Sequence, residues 1–299
     1  MSIDFTVSMS RLQPGDHWGY LSFTFPAFRH ALAALDDASV VAWGASSASG
    51  QPVALVLGQV QANTEPRRVM ELKSVFVSHA ARRQGLATRL LQAWADDCRD
   101  QEFQELQATY MTGQTFTPAV EALLSRTAWS APELRMLVIK ATLDSIRSAP
   151  WMRSFRLQAG MEMVPWQSLS ESDRRDIETS NQDDPWIPND LYPFYHEQNA
   201  EPVTSLALKV GGQVKGWVIN HRVDNVLRFT CSYMHPRLQR MGRILLLYNQ
   251  AVAFMPQAGF DTGMWTVPAW HEGMAAFAKR WMAPYAVQFD ETRGCRRML

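Results

Sequence analysis

Cysteine is scarce in this sequence: Cys98, Cys231 and Cys295 are the three in 299 residues, far apart and with no CxxC pair. That pattern excludes a disulfide framework and a thiolate-held structural zinc. Neither sign of charge is in excess, with 29 Lys+Arg against 29 Asp+Glu, so nothing draws the chain as a whole to nucleic acid or to an anionic membrane surface. Long apolar runs are missing too. The most apolar stretch, Ile244 to Met255, is interrupted by Asn249 and Gln250 and falls short of the ~20 residues a bilayer requires. The seven histidines form no HxxxH and no cluster with carboxylates, so no metal is expected. The opening Met1-Ser-Ile-Asp-Phe-Thr lacks the basic-then-apolar order of a secretory leader. What the sequence has is apolar mass, 46% hydrophobic residues with 14 Phe and 11 Trp, in a length suited to two domains. A cytoplasmic protein with two sizeable cores is expected.

Strands and helices alternate along the first half. Strands are expected at Ile3–Met9, Val40–Ala45, Val53–Gln61, Val69–Val77, Phe103–Tyr110 and Leu134–Leu143, and helices at Tyr20–Leu35, Gly85–Gln101 and from Pro118 to Arg126. In Val69–Val77, strict alternation puts Glu71, Lys73, Val75 and Val77 on one face. Residues 144–160 read as a connector. The second half then repeats the order: a strand at Met161–Trp166, a helix capped at Ser170, a hairpin through Gly211-Gly212, a strand Leu227–Met234, a helix Gly242–Phe254, a strand Thr262–Val267, a helix His271–Arg280 and an extended Tyr285–Phe289. Val77 to Ala87 lies over Met234 to Ile244 without a gap, an offset of 157 residues. Domains at 1–143 and 161–299 follow from this repeat.

Chemistry concentrates in the loop between Val77 and the long helix. Arg82-Arg83-Gln84-Gly85-Leu86-Ala87 places small residues where the backbone turns into a helix start. Small side chains let main-chain N–H groups approach an anion, and the helix start adds free donors and a positive partial charge. The pair is a phosphate cradle. It fits neither the GxxxxGK[ST] loop nor the three-glycine dinucleotide fingerprint.

Arg82-x-x-Gly85-x-Ala87 between strand and long helix resembles the acyl-CoA signature of the GNAT superfamily of N-acyltransferases, Q/R-x-x-G-x-G/A. Gln239-x-x-Gly242-x-Ile244 matches it in part. The resemblance implies an α/β (α+β) fold of two tandem GNAT-like domains, each a mixed, mostly antiparallel sheet with helices on both faces. It implies that main-chain groups of Arg82, Arg83, Gln84, Gly85, Leu86, Ala87 and Thr88 hold the CoA pyrophosphate. Phe76 and Val77 would pair with the pantetheine arm, and the Val77 N–H would donate to the thioester carbonyl in a gap between the fourth and fifth strands. The activity implied is transfer of an acetyl or other acyl group from acyl-CoA to a small-molecule or peptide amine, by direct attack in a ternary complex. The rival reading is a non-catalytic acyl-CoA-binding or sensing module.

An amine must lose a proton before it attacks. Glu71 is the candidate base, against a plain ion pair with Lys73. The family's usual tyrosine acid is replaced by Leu124, and in the second half by Phe277; Tyr110 is the candidate in its stead, with Ser125 behind it. Direct departure of the thiolate, aided by the helix start, is the other route. In the second half Ile244 enters the cradle and Arg228 stands where Glu71 does, so the first half is the expected CoA site. Asp183, Asp184 and Asp190 with Trp186 could receive a cationic amine or simply cap a proline-rich loop. Arg293, Arg296 and Arg297 read as a solvated tail, or as partners of the CoA 3′-phosphate. Trp94, Met274 and Trp281 read as core.

Overall fold

The computed structural model describes residues 7–61, 68–152, 156–239 and 242–299. Ile3–Thr6 of the first expected strand and Arg240 of the second loop lie outside them. The chain folds into two units, Met1–Arg135 with Thr292–Leu299, and Met136–Glu291.

The first unit contains β1 (Val7–Arg11), α1 (Arg29–Ala33), β2 (Val40–Ser47), β3 (Pro52–Val60), β4 (Val69–Val77), α2 (Leu86–Asp100), β5 (Glu105–Met111) and α3 (Thr117–Arg126). The chain continues through β6 (Glu133–Thr142), α4 (Leu143–Ser148), β7 (Met161–Pro165), α5 (Glu171–Asp183), β8 (Leu206–Val210), β9 (Gln213–Val223), β10 (Val226–Met234), α6 (Pro236–Gln239), α7 (Ile244–Phe254), β11 (Thr262–Pro268), α8 (Glu272–Phe277) and β12 (Gln288–Met298). Strands β1 to β4 are antiparallel neighbours, β4 and β5 are parallel, and β5 is followed by an antiparallel β12. The second unit runs β7-β8-β9-β10-β11-β6 with the same sense at each step.

Each unit therefore takes one strand from the end of the other half of the chain. Met136–Thr142 of β6 pairs with β11, and Thr292–Met298 of β12 pairs with β5. A division at residue 143 does not describe these units, because sequence pattern marks a strand but not its partner. The same pairing corrects the reading of the C-terminal arginines: Arg293, Arg296 and Arg297 are strand residues. Arg297 is buried, donating to the Thr127 carbonyl (3.0 Å) and to Gln92 (3.1 Å).

Helix α2 buries Leu86, Leu90, Leu91, Trp94, Ala95 and Cys98, against Val56, Met70, Leu72 and Leu106 of the sheet. Trp94 Nε1 donates to the Val41 carbonyl at 3.1 Å, which satisfies the buried indole. The opposite face carries Leu55 and Leu57 under Tyr20 and Leu32. There the expected Tyr20–Leu35 helix is a 3-10 run over Asp16–Phe23 and the short α1, separated by Pro26. The start of α5 is as the sequence indicates, a reciprocal capping box of Ser170 and Asp173. Lys209 beside Asp173 (2.8 Å), together with the Ser170 bonds, holds that carboxyl below the usual carboxylate range. Trp94 is core, whereas Trp281 is 42% exposed beneath Arg280.

Candidate functional site

Strands β4 and β5 pair only from Val69/Glu105 to Leu72/Ala108. Beyond that point each follows its outer neighbour, β4 along β3 as far as Val77 and β5 along β12 as far as Met111. A wedge opens between Lys73–Val77 and Thr109–Met111. Its apex coincides with a β-bulge: Leu57 faces Ser74 and Gly58 faces Leu72, so Lys73 is an extra residue in β4.

The bulge corrects the facing expected for Glu71. Past Lys73 the alternation slips by one residue. Met70, Leu72, Val75 and Val77 all belong to the core under α2, while Glu71 shares the other face with Ser74 and Phe76. Ser74 bonds the buried Thr24 there at 2.6 Å, and Phe76 packs on Phe23 with ring centroids 4.7 Å apart. Glu71 and Val77 are thus on opposite faces. Glu71 sits one residue before the apex, ion-paired with Lys73.

The open edge of β4 is set by the phase of its ladder with β3. Ser78 N–H donates to the Val53 carbonyl at 2.8 Å, which makes Ala54–Val77 a non-hydrogen-bonded pair. The N–H and C=O of Val77, and those of Val75, therefore turn toward the wedge. Phe76 spends its main-chain groups on Leu55. Of the two residues expected to offer their backbone, Val77 turns its main-chain groups to the wedge and Phe76 turns them to β3, while Val75 shares the facing of Val77.

The loop behind Val77 is a 3-10 turn over His79–Ala81, followed by Arg83 (φ +64°) and Gly85 (φ +71°), both left-handed, and then α2. Among the described residues, the first amide satisfied after Arg82 is that of Arg89, which donates to the Gly85 carbonyl (3.1 Å). The N–H groups of Arg83 to Thr88 are free donors at a helix start. A Cβ placed on Gly85 would meet nothing within 4 Å, so the space beside Gly85 is open. Arg82, Arg83 and Gln84 are exposed around it, and Arg82 Nε donates to the Val77 carbonyl at 2.9 Å.

Tyr110 lies across the wedge from Val77, against the α2 core. Its hydroxyl donates to Glu121 Oε1 (3.0 Å), which also takes Arg293 Nη1 from β12 (3.1 Å). Burial and the Glu121 bond push the phenol well above its ordinary range. The pairing of Glu121 with Arg293 escaped the sequence reading because the two are 172 residues apart. Leu124 is a core residue and Ser125 is exposed on α3.

The second unit repeats the scaffold at the 157-residue offset. Strands β10 and β11 part after Phe229/Trp265, Thr230 is the extra residue, and Gly242 is left-handed (φ +63°). Its loop differs in the described residues, however: Gly242 N–H donates to Gln239 (3.0 Å) and Leu245 N–H to Gly242 (3.0 Å), where the corresponding Gly85 and Thr88 amides have no backbone partner. Arg228, in the position of Glu71, donates to Thr266 (3.4 Å).

Residues 8–120 match the family model described as the Acetyltransferase (GNAT) family. No curated protein sequence matches the chain. A tandem GNAT protein from the clavulanic acid biosynthesis pathway aligns with it at 14% identity and TM-score 0.60, over 98% of each chain. The chain has a tandem GNAT fold. A GCN5-related N-acetyltransferase from Sphaerobacter thermophilus aligns at 15% identity and TM-score 0.59, over 98% of this chain and 95% of that one. The glucosamine N-acetyltransferase region of a fungal multi-domain β-N-acetylglucosaminidase aligns at 12% and TM-score 0.61, over 98% of this chain and 38% of that one.

Other candidates in the two GNAT units have bland environments. Asp183 and Asp184 are exposed, while Trp186 packs on Trp217, Tyr233 and His235. Asp190 instead accepts from His271 Nε2 (2.7 Å) and Trp270 Nε1 (3.0 Å). Partial burial raises its carboxyl, but these bonds outweigh it and leave the group below its ordinary value. All three cysteines are buried, and burial raises each thiol. Among the described residues, no group of His, Cys, Asp and Glu could hold a metal, and no helix is long and apolar enough to cross a membrane.

Proposed function

We propose that the first unit binds an acyl-CoA, acetyl-CoA foremost, and transfers its acyl group to an amine by direct attack. The observation that carries this reading is the run of free amides from Arg83 to Thr88 around the open space at Gly85, continuous with a strand edge that turns its Val77 N–H into the wedge. Free amides at a helix start suit a diphosphate. The edge at Val75 and Val77 suits an amide-bearing arm by strand addition. The Val77 N–H then lies where charge develops on the thioester oxygen.

On this reading Glu71, one residue before the apex, takes the amine proton through water as the C–N bond forms. The tetrahedral intermediate collapses by breaking the C–S bond, and the thiolate leaves. Tyr110 can protonate it only by giving up its bond to Glu121. Tyr110→Phe separates the routes: a lower kcat at unchanged KM assigns the proton to Tyr110, and a retained kcat assigns departure of the bare thiolate. The acceptor is an amine on a small molecule or peptide.

Glu71 and Tyr110 are both engaged, with Lys73 and Glu121, and this favours one second reading, a module that binds acyl-CoA without turning it over. Calorimetry with CoA and free-thiol release from acetyl-CoA across a panel of primary amines decide. Binding with thiol release supports the transferase, binding alone supports the module, and no binding removes both. If Glu71 is the base, Glu71→Gln loses most rate at neutral pH and recovers as the amine deprotonates on its own; a loss equal at every pH removes it.

A further inference from the structure

One side-chain bond occurs in both halves of the chain. Arg82 Nε donates to the Val77 carbonyl at 2.9 Å, and Gln239 Nε2 donates to the Met234 carbonyl at 2.8 Å, each reaching back five residues. Both acceptors end a strand that has parted from its parallel neighbour. His235 N–H donates to the Lys215 carbonyl (2.8 Å) as Ser78 does to Val53, so both acceptor carbonyls also turn to the wedge side of their strand. Arginine and glutamine have no charge in common. They share a donor nitrogen attached directly to Cδ. Lysine has a carbon at that position.

We propose that Arg82 is a positioning residue that ties the amide loop to the last peptide of β4 through this hydrogen bond, and that its charge is not what the site uses. The tie holds the cradle at Arg83–Thr88 in fixed relation to the Val77 amide. A thioester carrier gripped at both points then meets a spacing set in advance, and the cost of ordering the loop does not fall on binding. This rests on the acyl-CoA reading of the cleft; the tie itself does not require CoA and can be read without it.

The test compares wild type with Arg82→Ala, Arg82→Gln and Arg82→Lys. Amide hydrogen exchange over residues 77–85 of the unliganded chain reads the tie. Exchange quickens in Arg82→Ala and Arg82→Lys, and Arg82→Gln restores protection, with thermal midpoints showing all variants folded. Calorimetry with CoA at two salt concentrations reads the consequence. Affinity falls about tenfold or more in the Ala and Lys variants, while Gln recovers it to within about threefold at an unchanged salt dependence, as expected where the charge that is removed contributes nothing to binding. Affinity kept by Lys and lost by Gln, with a shallower salt dependence in Gln, overturns the proposal in favour of a charge contact. Equal exchange in all four proteins overturns it outright. A wild type that binds no CoA defeats the reading of the cleft, while the exchange result still judges the tie.

Discussion

At the scale of single residues, Gly85 and Tyr110 are the most exacting positions. Gly85 combines a left-handed backbone with open space above it. A β-branched side chain would meet strain of about 1–2 kcal/mol and project into the space over the free amides. Gly85→Val is expected to weaken CoA binding more than tenfold by calorimetry while the thermal midpoint falls by only a few degrees. Tyr110 carries a pH signature. Its proton is held more firmly in the folded chain than in the unfolded one, so the unfolded state loses it first as pH rises. Stability from this group is complete below the ordinary tyrosine range and declines above about pH 10. Denaturant titrations are expected to show an alkaline loss that is smaller in Tyr110→Phe. The loop motif was legible at this scale because an anion cradle needs particular residues in local order. The Glu121–Arg293 partnership was not, because only pairing of β5 with β12 brings Arg293 there.

At the scale of elements, the bulge and the last strand decide what the site contains. One inserted residue, Lys73, puts Val75 and Val77 on the core face with Leu72 and leaves Glu71 on the other. Alternation alone marks β4 correctly and its faces wrongly beyond residue 73, since a bulge is a property of two strands in register. Strand β12 gives a sharper test. Thr292–Met298 covers the outer edge of β5, and Arg297 from it fills hydrogen bonds at the end of α3. A chain ending at Glu291 is expected to lose CoA binding altogether and to bind an apolar dye through the uncovered β5 edge. Retention of CoA affinity would show that the wedge stands without its outer neighbour.

Over the whole molecule, two copies of one scaffold have diverged at the loop. Both keep the parting strands, the bulge and the left-handed glycine at the 157-residue offset. Among the described residues, the second loop spends the Gly242 and Leu245 amides on its own carbonyls, where the corresponding Gly85 and Thr88 amides of the first have no backbone partner. Calorimetry is expected to find a single CoA per chain, with Gly242→Val changing affinity less than threefold against the more than tenfold loss in Gly85→Val. The reverse order would move the site to the second unit.

The sequence by itself determined the repeat, the cradle motif and the amphipathic face of α2, because each rests on residues close together in the chain, whose spacing is fixed by backbone geometry. The tertiary structure alone decided which strand each unit takes from the other half of the chain, which residues of β4 offer their amides to the wedge, and which face Glu71 occupies. All three depend on the partner and register of strands brought together from distant parts of the chain, and a shift of one residue reverses the answer.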